Sequence, residues 1–143
     1  MVWFLIIVVI VVVIIKFLAD LSKDNEDIYL SESLNKKFTI IVRLLNDVAF
    51  AGRGTITVVD KREFILYEHN SNQIIRFFYS TGNLTIEWKF KYFQKEVISR
   101  KIYYDVRNIS IFEQDKIAND FIRESSLIFE KHKAEVTKDI FNT

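Results

Sequence analysis

Hydrophobic and polar positions divide the chain into stretches of different period. From Met1 to Ile15 there is no charged residue and nearly every side chain is Ile, Val or another large apolar group; the run passes Lys16 and continues through Phe17, Leu18 and Ala19 to Asp20. At about 1.5 Å per helical residue, Val2 to Ala19 reaches roughly 27 Å, close to a bilayer's hydrocarbon thickness when Lys16 extends its ammonium to the interface. A buried strand is far shorter. A cleaved signal peptide needs a basic start and small residues before the cut, whereas this chain offers Phe17-Leu18-Ala19. Residues 1–21 are therefore expected to form an uncleaved transmembrane anchor, residues 22–30 a charged juxtamembrane connector, and residues 31–143 one domain.

Leu34, Phe38, Ile41, Leu45 and Val48 then recur at spacings of three and four, which predicts an amphipathic helix from Ser33 to Phe50, capped by Ser31 or Ser33. Gly52-Arg53-Gly54 ends it and the period changes to two. Five strands follow, over residues 55–60, 63–68, 73–79, 84–92 and 97–106, joined by polar turns too short for crossover helices, so they are expected to pair as an antiparallel meander. The fourth alternates most clearly: Leu84, Ile86, Trp88, Phe90 and Tyr92 belong to a core, with Thr85, Glu87, Lys89 and Lys91 outside. On the fifth, Ile98, Ile102, Tyr104 and Val106 are assigned inward, with Lys101 and Asp105 outward.

Ser110-Ile-Phe-Glu113 is a capping box ahead of a helical pattern that runs to Ile140. Ile117, Phe121 and Ile128 mark its apolar stripe, widened by Ala118, Ile122, Leu127 and Phe129. Its last turns, Lys131 to Lys138, are expected to project beyond the core. Trp88 and Phe121 are expected to face one another. The fold class that results is α+β: an N-terminal transmembrane helix, then a helix, a five-stranded antiparallel meander, and a long C-terminal helix packed on one face of the sheet.

Composition narrows function mainly by exclusion. With 13 Phe, 6 Tyr and 2 Trp among 143 residues, the domain has ample apolar area for a core, and the absence of Cys removes disulfides, thiol catalysis and Cys-ligated metal. A net charge of +1 argues against nucleic-acid binding. Lys16 and Lys23 follow the apolar run while nothing basic but the amino terminus precedes it, so the C-terminal domain is expected to be cytoplasmic. The sequons at Asn83 and Asn108 are then chance matches.

No catalytic constellation emerges. Gly52-x-Gly54 lacks a third glycine and precedes a strand, which makes it a helix C-cap and turn. His69 and His132 stand apart as surface histidines, and Glu113, Asp115 and Asp120 complement the dipole at a helix start. The chain is expected to be non-enzymatic, with no catalytic residue, cofactor or metal.

Lys89, Lys91 and Lys101, with Arg76 beside them, are expected to share one basic solvent face; a solvated outer face is the ordinary reading of such charges, and as a candidate contact face it would take an acidic protein partner or anionic lipid. Gly54-Thr-Ile-Thr-Val-Val-Asp-Lys-Arg-Glu-Phe-Ile-Leu-Tyr67 resembles the strand-turn-strand opening of bacterial pleckstrin-homology-like domains, which also end in a helix. The likeness covers only those residues and a topology; a helix before the sheet and a count of five strands depart from the pattern. The expected function is a single-pass membrane-anchored interaction domain, a protein-binding component of a membrane assembly. The resemblance implies the alternative, a lipid-headgroup or peptide-binding module; a small hydrolase or transferase ranks below both.

Overall fold

The computed structural model describes residues 2–30 and 33–142, without the side chains of Val2, Phe4, Leu5 and residues 24–30. The chain forms α1 (Val2–Leu30), α2 (Leu34–Lys37), α3 (Thr39–Phe50), β1 (Thr55–Val58), β2 (Glu63–Tyr67), β3 (Gln73–Ser80), β4 (Asn83–Tyr92), β5 (Lys95–Tyr103) and α4 (Ile111–Phe141). The strands lie in the order β1-β2-β3-β4-β5, each antiparallel to the next, and the C-terminal helix packs on the sheet.

The first helix differs from expectation. It does not stop at residue 21 but continues helically through the stretch expected to be a connector. Among the described residues no helix is long and apolar enough to cross a membrane. The unbroken run of described side chains in α1 extends from Ile6 to Lys23 and takes in Lys16, Asp20 and Lys23. Within it, every residue from Ile6 to Ile15 is exposed, whereas Asp20 and Leu21 are partly covered.

The expected helix over residues 33–50 is broken at Phe38 (φ −104°, ψ 32°), whose ring is wholly buried and tilts against Tyr79 with centroids 5.6 Å apart. A break leaves backbone groups without intrahelical partners, and buried ones must find others. Gln114 supplies them from α4. Its Nε2 donates to the Lys37 carbonyl at 3.0 Å and its Oε1 accepts from the Ile40 N–H at 3.2 Å. Ser33 is the N-cap residue of α2 but makes no side-chain cap bond, and Ser31 lies outside the described residues. Val48, expected in the apolar stripe, is exposed.

The core sits between one face of the sheet and α2, α3 and α4. Phe64, Leu66, Ile75, Phe77, Tyr79, Leu84, Ile86, Trp88 and Phe90 point into it, with Phe64 and Phe77 stacked at 4.5 Å. Trp88 meets Phe121 at 6.4 Å, as the pattern predicted, and Phe129 edge-on at 5.1 Å. Its indole N–H would be costly to bury unpaired. Gln73 Oε1 accepts from it at 2.9 Å, while Gln73 Nε2 donates to the Ala49 carbonyl.

The fifth strand is turned over relative to expectation. Phe93 and Gln94 both adopt positive φ, 47° and 64°, so β4 and β5 are joined by a tight two-residue turn that pairs Tyr92 with Lys95. That register sets every side chain that follows, because a shift of one residue exchanges the two faces. Val97, Ser99, Lys101 and Tyr103 consequently point to the helices. Ile98 and Ile102 point away, and Tyr104 is exposed, while Val106 is buried as expected.

In α4 the covered stripe is Gln114, Ala118, Phe121, Ser125, Phe129 and Val136, while Leu127 and Ile128 face outward. Polar residues hold two of these positions because they have partners there. Ser125 Oγ and Ser99 Oγ lie 2.8 Å apart in a hydrogen bond between helix and strand. Nor do the last turns of α4 project. Val136 is buried, His132 Nε2 lies 3.0 Å from the Lys95 carbonyl, and Lys95 Nζ reaches Asp139 at 3.1 Å. The capping box forms as the sequence predicts.

Candidate contact face

The face of the sheet opposite the helices is assembled from four strands by their register. One row across it reads Ile65, Arg76, Glu87, Arg100; the next reads Tyr67, Ile74, Lys89, Ile98; a third reads Glu63, Phe78, Thr85, Ile102. Opposite charges therefore fall on neighbouring strands, the arrangement in which cross-strand pairs stabilise a sheet. Arg76 Nε meets Glu63 Oε1 at 2.9 Å, and Lys89 Nζ lies 3.8 Å from Glu87 Oε1. Glu63, Arg76, Phe78, Thr85, Glu87 and Arg100 line a shallow hollow of about 170 Å³.

Three of the four residues expected to share this face do so. Arg76, Lys89 and Lys91 lie on it, with Lys91 opposite Glu96. Lys101 does not. It pairs with Ile86 on the covered face, and its Nζ reaches Glu124 Oε1 of α4 at 2.6 Å and sits 5.5 Å from the Tyr103 ring centroid. This follows from the Phe93-Gln94 turn, which places Arg100 rather than Lys101 beside Glu87.

The face is accordingly amphiphilic rather than basic. Arg76, Lys89, Lys91 and Arg100 are offset by Glu63, Glu87 and Glu96, and between them Phe78, Ile98 and Ile102 are 40%, 46% and 41% exposed. Sequence reasoning missed Arg100, Ile98 and Ile102. The signal was present in the turn: a hairpin closed by Phe93-Gln94 instead of Gln94-Lys95-Glu96 puts all three outside.

Elsewhere, burial chiefly, then Glu124 and Asp120, push the Tyr103 phenol up; the backbone N–H of Ser110, then its hydroxyl, hold the Glu113 carboxyl below its usual value. The Arg53 guanidinium is raised by its hydrogen bond to Glu68, at 2.7 Å, and by the charge of that carboxylate. His69 is exposed, and the glycines around Arg53 close the helix as expected: Ala51 and Gly52 have positive φ, and the Gly52 N–H donates to the Asn46 carbonyl at 3.2 Å.

In comparisons with known proteins, no family model, no curated protein and no solved structure matches this chain.

Proposed function

We propose that this chain is a membrane-tethered, non-enzymatic interaction domain whose uncovered sheet face takes another protein. The observation that carries the reading is the composition of that face: three half-exposed apolar side chains, Phe78, Ile98 and Ile102, set among Arg76, Arg100 and Lys89. Arginine and aromatic residues at the centre with a charged surround are what protein interfaces enrich.

The tether is supported by α1. Ile6 to Ile15 stand free of the α+β domain with exposures of 43% to 61%, a row of aliphatic side chains that water would strongly disfavour. A bilayer removes that cost, and Val2, Phe4 and Leu5 extend the run at its start. Lys16 and Lys23 after the apolar run support a cytoplasmic domain under the positive-inside rule.

The reading is tested on the full chain in its native membranes. Sodium carbonate should leave it in the pellet, and an Ile98→Glu/Ile102→Glu variant should lose the proteins that the wild type retains while melting at an unchanged temperature. Release by carbonate would refute the tether. An unchanged retained set in the folded double variant would refute the contact face, and loss of anionic-vesicle binding alone would favour the lipid-headgroup reading.

A further inference from the structure

We infer that the segment Tyr104–Phe112 is a second membrane contact, an interfacial belt that rests in the headgroup layer of the bilayer holding α1. The inference rests on the membrane-tether reading and adds to it where the folded domain touches lipid.

Three large side chains on this short segment are exposed: Tyr104 at 73%, Ile111 at 71% and Phe112 at 79%. They are held in that state by local structure. The Val106 N–H donates to the Gly82 carbonyl at 2.8 Å and the Asp105 N–H to Asn83 Oδ1 at 3.1 Å, which fastens the segment to the turn between β3 and β4. The Ser110–Glu113 capping box fixes the first turn of α4, from which Ile111 and Phe112 project.

What covers them is indicated by Arg107, in the middle of the segment. Its Nη2 lies 3.5 Å from the backbone carbonyl of Asp20, and its guanidinium lies against Gly82. Asp20 is the first acidic residue after the apolar run of α1, so a bilayer holding that run has its interface at the level of Asp20. The contact thus brings Tyr104, Ile111 and Phe112 to the depth at which aromatic rings and arginines are favoured in membranes, with apolar bodies toward the acyl chains and polar groups toward phosphate and water. The Arg107–Asp20 contact ties the segment to the end of the apolar run of α1, which selects lipid as its occupant over a protein partner.

The chain has no cysteine, so single-cysteine variants report position cleanly. Full-length Val12→Cys, Tyr104→Cys, Phe112→Cys and Phe141→Cys, each labelled with a nitrobenzoxadiazole fluorophore, would be reconstituted in phosphatidylcholine–phosphatidylglycerol vesicles carrying spin labels at the headgroup or deep in the acyl chain. Phe141, 82% exposed at the far end of α4, is the reference. The Val12 label should be quenched by the deep probe, and the Tyr104 and Phe112 labels about threefold or more above Phe141 by the headgroup probe. Quenching at Val12 with Tyr104 and Phe112 no higher than Phe141 would overturn the belt and leave the tether standing. An unquenched Val12 label would overturn the tether, and the belt with it.

Discussion

The two faces of the same sheet follow opposite rules. On the helix side, β4 contributes Leu84, Ile86, Trp88 and Phe90, all buried and all in contact with other rings or aliphatic chains. On the other side the same strand contributes Thr85, Glu87, Lys89 and Lys91, of which Glu87 stands between Arg76 and Arg100 and Lys91 opposite Glu96. The first face is built by excluded water, the second by cross-strand pairing in partial solvent. The difference shows where stability and recognition reside: substitutions on the covered face should change folding, and those on the open face should change binding.

The largest effect is expected at Trp88. Truncation to Ala removes an indole wedged against Phe121 and Phe129 and leaves Gln73 Oε1 without its donor, so a loss of about 3–5 kcal/mol is expected in denaturant melts. A loss under about 1 kcal/mol would mean that the covered face is not the main source of stability.

A smaller effect is expected at the side-chain hydrogen bond buried between β5 and α4. Ser125→Ala leaves the Ser99 hydroxyl buried and unpaired and should cost about 1–3 kcal/mol, whereas Ser99→Ala/Ser125→Ala should cost less than the sum of the single changes. Additive costs in a double-mutant cycle would show that the two hydroxyls do not act as a pair. Tyr103, on the same face, has a buried hydroxyl without a hydrogen-bond partner among the described residues, so Tyr103→Phe should raise stability by about 1 kcal/mol. Since the Tyr103 phenol is raised, its contribution is complete below the pKa of an unfolded tyrosine and is lost as pH rises from there through the folded value. The stability gap between Tyr103→Phe and wild type should therefore widen in alkaline melts.

How far these rules could be read from the chain depends on where each is encoded. The alternation of β4 is written in one short run, since residues two apart share a face whatever the neighbouring strands do. The Trp88–Phe121 contact followed from it. The facing of β5 is set by a turn, and Phe93-Gln94 carries neither the Asn nor the Gly that usually marks two residues of positive φ. Ile98 and Ile102 look like core residues in isolation. Gln114 and Ser125 were invisible for another reason: each is buried because a partner distant in sequence meets it, the break between α2 and α3 in one case and Ser99 in the other.

At the cap of α4 the effect is set by pH. Glu113 is held below the usual carboxylate value by the Ser110 N–H and hydroxyl, so what it contributes is present above the unfolded carboxylate pKa and is lost as pH falls through the folded one. Melts from neutral to acidic pH should lose more for wild type than for Glu113→Gln. Parallel curves would remove Glu113 from the acid sensitivity of the domain.

The smallest effects give the sharpest test of the two faces, because they compare residues of one type. Lys89 lies on the open face, 3.8 Å from Glu87, which keeps Arg76 and Arg100 as opposite neighbours in its row when Lys89 is cut back. Lys89→Ala should therefore change stability by less than about 0.5 kcal/mol. Lys101 ties β5 to α4 through Glu124 at 2.6 Å and lies over the Tyr103 ring, so its truncation removes a link between sheet and helix as well as a charge. Both partners are more than a third exposed, and solvent screening holds the expected cost of Lys101→Ala to about 0.5–1 kcal/mol. Binding should rank them in reverse: Lys89→Glu/Lys91→Glu should weaken partner retention, and Lys101→Glu should leave it unchanged. Equal stability losses at Lys89 and Lys101, together with equal effects on binding, would place the two lysines on one face and overturn the register fixed by the Phe93-Gln94 turn.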